Sequence, residues 1–277
     1  MSCASARAGA ATFALRASVS RKAPAFRRRS TRKWLRRLLA ASIAALAGVV
    51  SVADARAQQV VERWEKEVAA YEATDRTTPP PRGEIVFVGS SSIRFWDVAA
   101  SFPDLKVINR GVWASGQGFE LGDVVRFLDR LVVPHQPRIV VVYAGDNDIS
   151  GGKTSEQVVV DAERLILRLR SKLPDVRIVF IGVKPSISRW LQVDRMRLTN
   201  TLLRQVCERD DRVAYVDVDG PMMGWDERPR RELFVDDGLH LSAEGYRLWT
   251  TLVRPLLVPP TTLPAPGPVP TSSSPSR

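Results

Sequence analysis

Five short apolar runs recur along the chain: EIVFVG (84–89), KVINRG (106–111), RIVVVYAG (138–145), RIVFIGV (177–183) and VAYVDV (213–218). Each is nearly unbroken in apolar residues, the pattern of a strand covered on both faces rather than one with a wet side. Between and after them lie stretches with helical spacing: ELGDVVRFLDRLV, SEQVVVDAERLILRLRSKL, RMRLTNTLLRQVCERD and SAEGYRLWTTLVRPLL. Strand and helix in alternation predict an α/β fold, with a central parallel sheet of about five strands and helices on both sides. In such sheets ligands bind beyond the carboxyl ends of the strands, so the polar residues that follow each run are the ones to weigh.

The charge sits elsewhere. Of the 41 Lys and Arg residues, twelve fall in residues 1–57 against one acid, Asp54, out of 30 in the chain; the remainder carries 29 of each sign. A phosphate-binding surface needs excess cations on the folded domain, so a nucleic-acid partner is not expected. The basic start instead reads as a targeting segment. RRRSTRKWLRR precedes the apolar LLAASIAALAGVVSVA, and Ala55 and Ala57 form an A-x-A site that predicts cleavage before Gln58 and export to a periplasmic or secreted location. The paired Arg36 and Arg37 also fit a twin-arginine signal, and the Arg- and Ser-rich first residues fit an organelle transit peptide. An uncleaved N-terminal anchor is the alternative; after cleavage no stable membrane insertion is expected. At the other end, the Pro- and Ser-rich residues 259–277 read as a disordered tail, which leaves residues 58–258 as the folded domain. Only Cys3 and Cys207 are present, too few for a disulfide framework once the leader is lost, and Cys207 reads as a small core residue.

Chemistry-bearing residues follow the strands. Gly89 leads into Ser90, Ser91 and Ser92 at a strand-to-helix corner, where a serine can cap the helix or stand exposed at its N-terminus. NRGVWASGQG (109–118) allows close backbone approach. Asn147, between Asp146 and Asp148, could cap a helix, join a metal site, or offer its amide to a developing oxyanion. The chain has two histidines: His135, in a connector, reads as a surface residue, and His240 follows Asp237 by three positions with Gly238 between, a spacing at which a turn can set a carboxylate against the ring. Ser91, Asn147, Asp237 and His240 thus fall at one edge of the expected sheet and together supply a nucleophile, an oxyanion donor, an orienting acid and a base.

These segments resemble, in order, the sequence blocks of the SGNH hydrolases, also called GDSL-like esterases or lipases: FVGSSSI, NRGVWASGQG, YAGDND and DDGLH, over roughly residues 83–257. The resemblance implies a flavodoxin-like three-layer α/β/α sandwich and hydrolysis of an ester or related acyl bond with neither metal nor organic cofactor. Carried over, it makes Ser91 the nucleophile, Asp237 and His240 its triad partners, and Ser91, Gly116 and Asn147 the oxyanion hole. Ser90 stands where the family usually has Asp, which keeps Ser92 as a rival nucleophile. The glycine block is about four residues longer than expected, so that counting forward points to Ala114 and counting back to Gly116 or Gly118; Gly116 is taken.

The expected substrate is a small-molecule, glycan or lipid ester, and an acyl transferase would need the same groups. Two other classes compete. A metal-dependent phosphoesterase would use Asp146, Asp148, Asp236 and Asp237, although a lone nearby histidine is few for such a centre. A non-catalytic envelope protein would hold a glycan or lipid in the same cleft, with Trp96, Trp113, Trp190 and Trp225 to stack on it. The stretch VKPSISRW (183–190), after the fourth strand, is expected to form one wall.

Overall fold

The computed structural model describes residues 64–115 and 118–258. The expectations for the leader (1–57), the tail (259–277) and Gly116 fall outside these residues. Helix α1 covers residues 64–77. It is followed by β1 (Ile85–Gly89), α2 (Ser91–Arg94), α3 (Val98–Ser101), β2 (Val107–Gly111), α4 (Leu121–Leu131), β3 (Ile139–Tyr143), α5 (Asp146–Ser150) and α6 (Ser155–Lys172). The chain continues through β4 (Arg177–Ile181), α7 (Val193–Cys207), β5 (Val213–Val216), α8 (Asp219–Met222) and α9 (Ala243–Leu257). All five expected strands form one sheet in the order β2-β1-β3-β4-β5, every pair parallel.

Alternation along each strand divides the core into two layers. Val86 and Val88 of β1, Val140 and Val142 of β3, and Ile178 and Phe180 of β4 face α1, α4, α6 and α7, packing with Trp64, Leu128, Leu165 and Leu203. Ile85, Phe87, Ile139, Val141, Val179 and Ile181 face the other way, against Ile93, Trp96, Phe102, Trp249 and Val253 from α2, α3, α9 and the loops beside them. Both faces are covered, which is why the strands carry no polar alternation. Cys207 is buried in the first layer, as expected of a core residue. Capping boxes start α4 (Glu120 with Asp123) and α6 (Thr154 with Gln157), and the Ser242 hydroxyl accepts the Gly245 N–H at the start of α9. No described helix is long and apolar enough to cross a membrane.

His135 is not on the surface. It ends a 3₁₀ turn, Val133–His135, and is only 4 % exposed. Its Nε2 accepts the Arg110 Nε–H at 3.2 Å, and Arg110, itself buried at the end of β2, also pairs with Asp75 at 2.6 Å. A buried arginine needs acceptors on several sides, and the connector histidine is drawn in as one of them. Burial, then the neighbouring Arg110 charge, push its pKa down to about 4.

Candidate active site

The corner after β1 leaves no choice of residue at its apex. Gly89 has φ +147°, and a Cβ there would stand 1.8 Å from the Tyr143 carbonyl oxygen. The Ser90 N–H then donates to that same oxygen at 3.0 Å, and the chain turns at once into α2. Ser90 occupies the N-cap position without a side-chain cap bond. Ser90 and Ser92 are each 1 % exposed, whereas Ser91, the first residue of α2, opens onto a cavity. That separates the three hydroxyls: one of them can meet a substrate. The short helix is braced from both sides. Asn109 Nδ2 donates to the carbonyls of Ile93 (2.7 Å) and Trp96 (2.9 Å), and the Tyr246 hydroxyl donates to Ser92 O (3.0 Å).

From the far end of the chain, an antiparallel bridge between Phe234 and Leu241 closes a loop that carries Asp237 and His240. Gly238, at φ +65°, makes its turn. Asp237 Oδ1 accepts the N–H groups of Leu239 (2.8 Å) and His240 (2.9 Å), while Oδ2 lies 2.5 Å from His240 Nδ1. His240 Nε2 lies 3.1 Å from Ser91 Oγ. A carboxylate at Nδ1 assigns the ring proton to that nitrogen, leaving the Nε2 lone pair toward the serine. Partial burial alone would raise the Asp237 carboxyl, but the hydrogen bonds from the His240 ring and from the two N–H groups outweigh it and hold the carboxyl below its ordinary range. Phe95 lays its ring against the imidazole at 5.2 Å between centroids, and Trp113 packs on Phe95 at 5.3 Å.

Asn147 is the second residue of α5 and does not cap it; the N-cap is Gly145, at φ +123°. Its Nδ2 donates to Phe119 O at 3.1 Å and its Oδ1 accepts from Arg189 Nη2 at 2.9 Å. Asn147, Ser91 and His240 line one cavity of about 300 Å³, with Ala114 and Gly118, the described alternatives to Gly116, also on its wall. Gly118 touches Asn147 so closely that a Cβ would come within 2.2 Å of the amide carbon. A second cavity of about 390 Å³ shares Gly118, Asn147 and Arg189 with the first and adds Glu120, Asp123 and Ser150. Burial lifts the Asp123 carboxyl to about 6, against the Glu120 N–H that accompanies it.

The carboxylates of the metal reading are engaged elsewhere. Asp146 pairs with Lys184 (2.9 Å) and Arg189 (3.0 Å), Asp148 accepts from Lys153 (2.8 Å) and Leu121 N, and Asp236, exposed to solvent, accepts from Arg231 Nη2 (3.4 Å). Among the described residues no group of three or more His, Cys, Asp or Glu side chains could hold a metal ion. Of the four tryptophans considered for stacking, Trp96 is core, Trp190 lies under Arg228, Trp225 is fully exposed, and Trp113, 41 % exposed, lines the first cavity. VKPSISRW does supply a wall, through Arg189. The buried Lys184 behind it, 1 % exposed, was signalled only by a lone cation directly after an apolar strand.

Residues 88–248, more than half of the chain, match the model of the GDSL-like Lipase/Acylhydrolase family. The human platelet-activating factor acetylhydrolase IB subunit alpha1 is 26 % identical over 170 residues, covering 59 % of this chain and 70 % of that protein. A solved candidate platelet activating factor from Streptococcus pneumonia superposes with a TM-score of 0.63 at 20 % identity, over 74 % of this chain and 99 % of its own. A GDSL-like lipase from Bacteroides thetaiotaomicron gives 0.57 at 17 % identity, over 69 % and 96 %. At these identities the two solved structures speak for the fold, the three-layer α/β/α arrangement described above, and the family model for the chemistry. The chain belongs to the GDSL-like lipase/acylhydrolase family and is a hydrolase acting on esters.

Proposed function

We propose that Ser91, His240 and Asp237 carry out a two-step acyl transfer on a short-chain ester of a polar alcohol. The observation that carries this reading is the 3.1 Å approach of His240 Nε2 to the one serine of the corner that opens onto the cavity. His240 accepts the Ser91 proton as Oγ attacks the ester carbonyl, then returns it to the departing alcohol; water repeats the path and releases the acid. Asp237 holds the ring in the required tautomer and stabilises the imidazolium. The carbonyl oxygen, as it becomes an oxyanion, meets the Ser91 N–H, which has no intrahelical acceptor at the first position of α2, and the second hydrogen of Asn147 Nδ2. Gly116 is the third donor of the proposal. Each such donor is worth about 3 kcal/mol in the barrier.

The walls of the cavities support this substrate class. A cavity of about 300 Å³ bounded by Val112, Trp113, Ala114 and Leu239 suits a small acyl group better than a long chain. The adjoining space, lined by Glu120, Asp123, Ser150 and Arg189, offers hydrogen-bonding partners to a hydroxyl-rich alcohol. An acetyl ester fits both, and acetyl is the group named in the human relative. The test is a p-nitrophenyl ester series of increasing chain length, run beside acetylated oligosaccharides with wild type, Ser91→Ala and His240→Ala. Hydrolysis should be fastest for the shortest esters and should fall at least about 10³-fold in both variants. Turnover retained by Ser91→Ala overturns the triad; rates that climb with chain length overturn the acyl assignment.

A further inference from the structure

Behind Asn147 lies a chain of charges that the acyl-transfer steps do not use. Lys184, just beyond β4, donates to the Tyr143 hydroxyl at 3.1 Å and pairs with Asp146 Oδ2 at 2.9 Å. Lys184 and Asp146 are both buried. Arg189 Nη1 approaches the same carboxylate oxygen at 3.0 Å, an ion-pair contact whose N–H is not aligned as a hydrogen bond. Its other terminal nitrogen, Nη2, donates to Asn147 Oδ1 at 2.9 Å. One carboxylate thus faces two cations, and the surplus positive charge lies against the oxygen of the Asn147 amide.

We propose that Arg189 is the positioning residue of the oxyanion hole, fixing which end of the Asn147 amide faces the substrate. The proposal rests on the function reading above. A primary amide can turn end for end with little change of shape. In the observed orientation Nδ2 meets the Phe119 carbonyl and Oδ1 meets the Arg189 N–H. Turned over, the amide oxygen would face a carbonyl oxygen and the amide N–H groups would face a guanidinium, so both neighbours would repel it. Phe119 O alone could not hold the group, because a single bond leaves rotation about Cβ–Cγ partly free. Arg189 adds a second effect of the same sign. A cation bonded to the amide oxygen draws electron density from the nitrogen and strengthens its remaining N–H as a donor. Asp146 keeps the guanidinium in place, and Lys184 keeps Asp146 charged-paired on its buried side, so the line from Lys184 to Asn147 is one support.

Arg189 also lines both cavities, so a direct contact with substrate is the rival role. A double-mutant cycle on ester hydrolysis separates the two. Arg189→Met leaves the Asp146–Lys184 pair neutral and intact, and should lower kcat about 10- to 100-fold with KM changed less than about threefold, a fraction of the roughly 10²–10³ lost with an oxyanion donor. Asn147→Ala should show that larger loss, and adding Arg189→Met to it should cost less than about threefold more, because the residue through which Arg189 acts is already gone. Should Arg189→Met fail to fold by circular dichroism, Arg189→Lys, which keeps the charge but cannot reach two partners in a fork, carries the same cycle. Losses that multiply in the double variant, or a rise in KM at constant kcat, would place Arg189 on the substrate and overturn the proposal, as would wild-type kcat in Arg189→Met. A wild-type enzyme without esterase activity, or an active Ser91→Ala, sinks the function reading instead.

Discussion

Asp237→Asn asks the most of the site for the least change in shape. Oδ1 of Asp237 accepts two backbone N–H groups while Oδ2 accepts the ring Nδ1–H. An asparagine has one oxygen for these two duties. If the oxygen stays with the N–H groups, the amide NH₂ meets Nδ1, the ring must present a lone pair there, and its proton moves to Nε2, facing Ser91 as a donor. If the amide turns over, the ring keeps its tautomer but two N–H groups lose their acceptor. Burying a donor without a partner costs about 1–3 kcal/mol. The Asp237 side chain is 46 % exposed, so water relieves part of this and the lower figure applies, about 2 kcal/mol for the pair. The wrong tautomer is then favoured about 30-fold.

Losing the carboxylate beside the imidazolium removes a further charged hydrogen bond, worth about 1.5–3 kcal/mol or roughly 10- to 100-fold. The two effects predict a fall in kcat of about 10³, less than the ~10⁴ known for a fully buried triad aspartate. The assay is p-nitrophenyl acetate hydrolysis near neutral pH. Nitrogen-15 NMR of the imidazoles provides a direct check, since the chain has two histidines and His135 is far from the substitution in sequence. The Nε2-protonated form of His240 should replace the Nδ1-protonated one, with the urea midpoint nearly unmoved. A kcat within tenfold of wild type, with an unchanged tautomer, would refute this account of Asp237.

Gly89→Ala should destabilise the fold by more than about 3 kcal/mol, because both the φ of +147° and the 1.8 Å approach to Tyr143 O must be relieved by moving β1; urea unfolding within 1 kcal/mol of wild type would contradict it. Gly118→Ala should act on chemistry more than on stability: a Cβ 2.2 Å from the Asn147 amide carbon must displace the amide, so kcat should fall about 10²-fold while overpacking costs about 1–3 kcal/mol. His135 should make stability pH-dependent. Its folded-state pKa of about 4 lies below the unfolded value of about 6.5, so the unfolded chain binds the extra proton between them. The stabilisation is complete above about pH 6.5 and is lost as pH falls through about 4, at most about 3 kcal/mol, and a His135→Gln variant should lack this component in urea melts at pH 7 and pH 4.5. Equal pH slopes in the two proteins would remove His135 from the account.

What the sequence made legible divides by the range of the interactions involved. The strands were readable because a run such as IVVVY, buried on both faces, leaves its mark residue by residue. Asp237 and His240 were readable because their hydrogen bond spans three positions and the chain offers few histidines. Which serine stands open to the cavity was not readable from the residues themselves, since Ser90, Ser91 and Ser92 differ only in the direction a tight turn gives them, and Ser91 was singled out by the family resemblance alone. The same holds for His135, whose burial depends on Arg110, 25 positions away, and for Arg189, whose partner Asn147 is 42 positions away. Helix α1 was missed although Trp64, Val68 and Tyr71 repeat at helical spacing; its apolar strip is narrow and its other positions are mainly polar.

Sheet order explains why these separate pieces meet. With the order β2-β1-β3-β4-β5, the chain leaves β1 toward one edge and returns to pair β3 on its other side, so the segments following β1 and β3 diverge and leave a crevice between them. Ser91 follows β1 and Asn147 follows β3, and the pairing of Gly89 with Tyr143 sets both ends level. The distance between Ser91 and the Asn147 amide is therefore a property of the sheet, insensitive to loop length. The imidazole has no such guarantee. It depends on α9, whose Trp249, Val253 and Leu257 are fully buried against the sheet, and on the Ser242 hydroxyl, which donates to Glu232 O at 2.6 Å and ties the helix start to the loop before Asp237. Changes that loosen α9 should thus cost activity before they cost the fold, because the helix anchors the loop of Asp237 and His240, which the strands do not place.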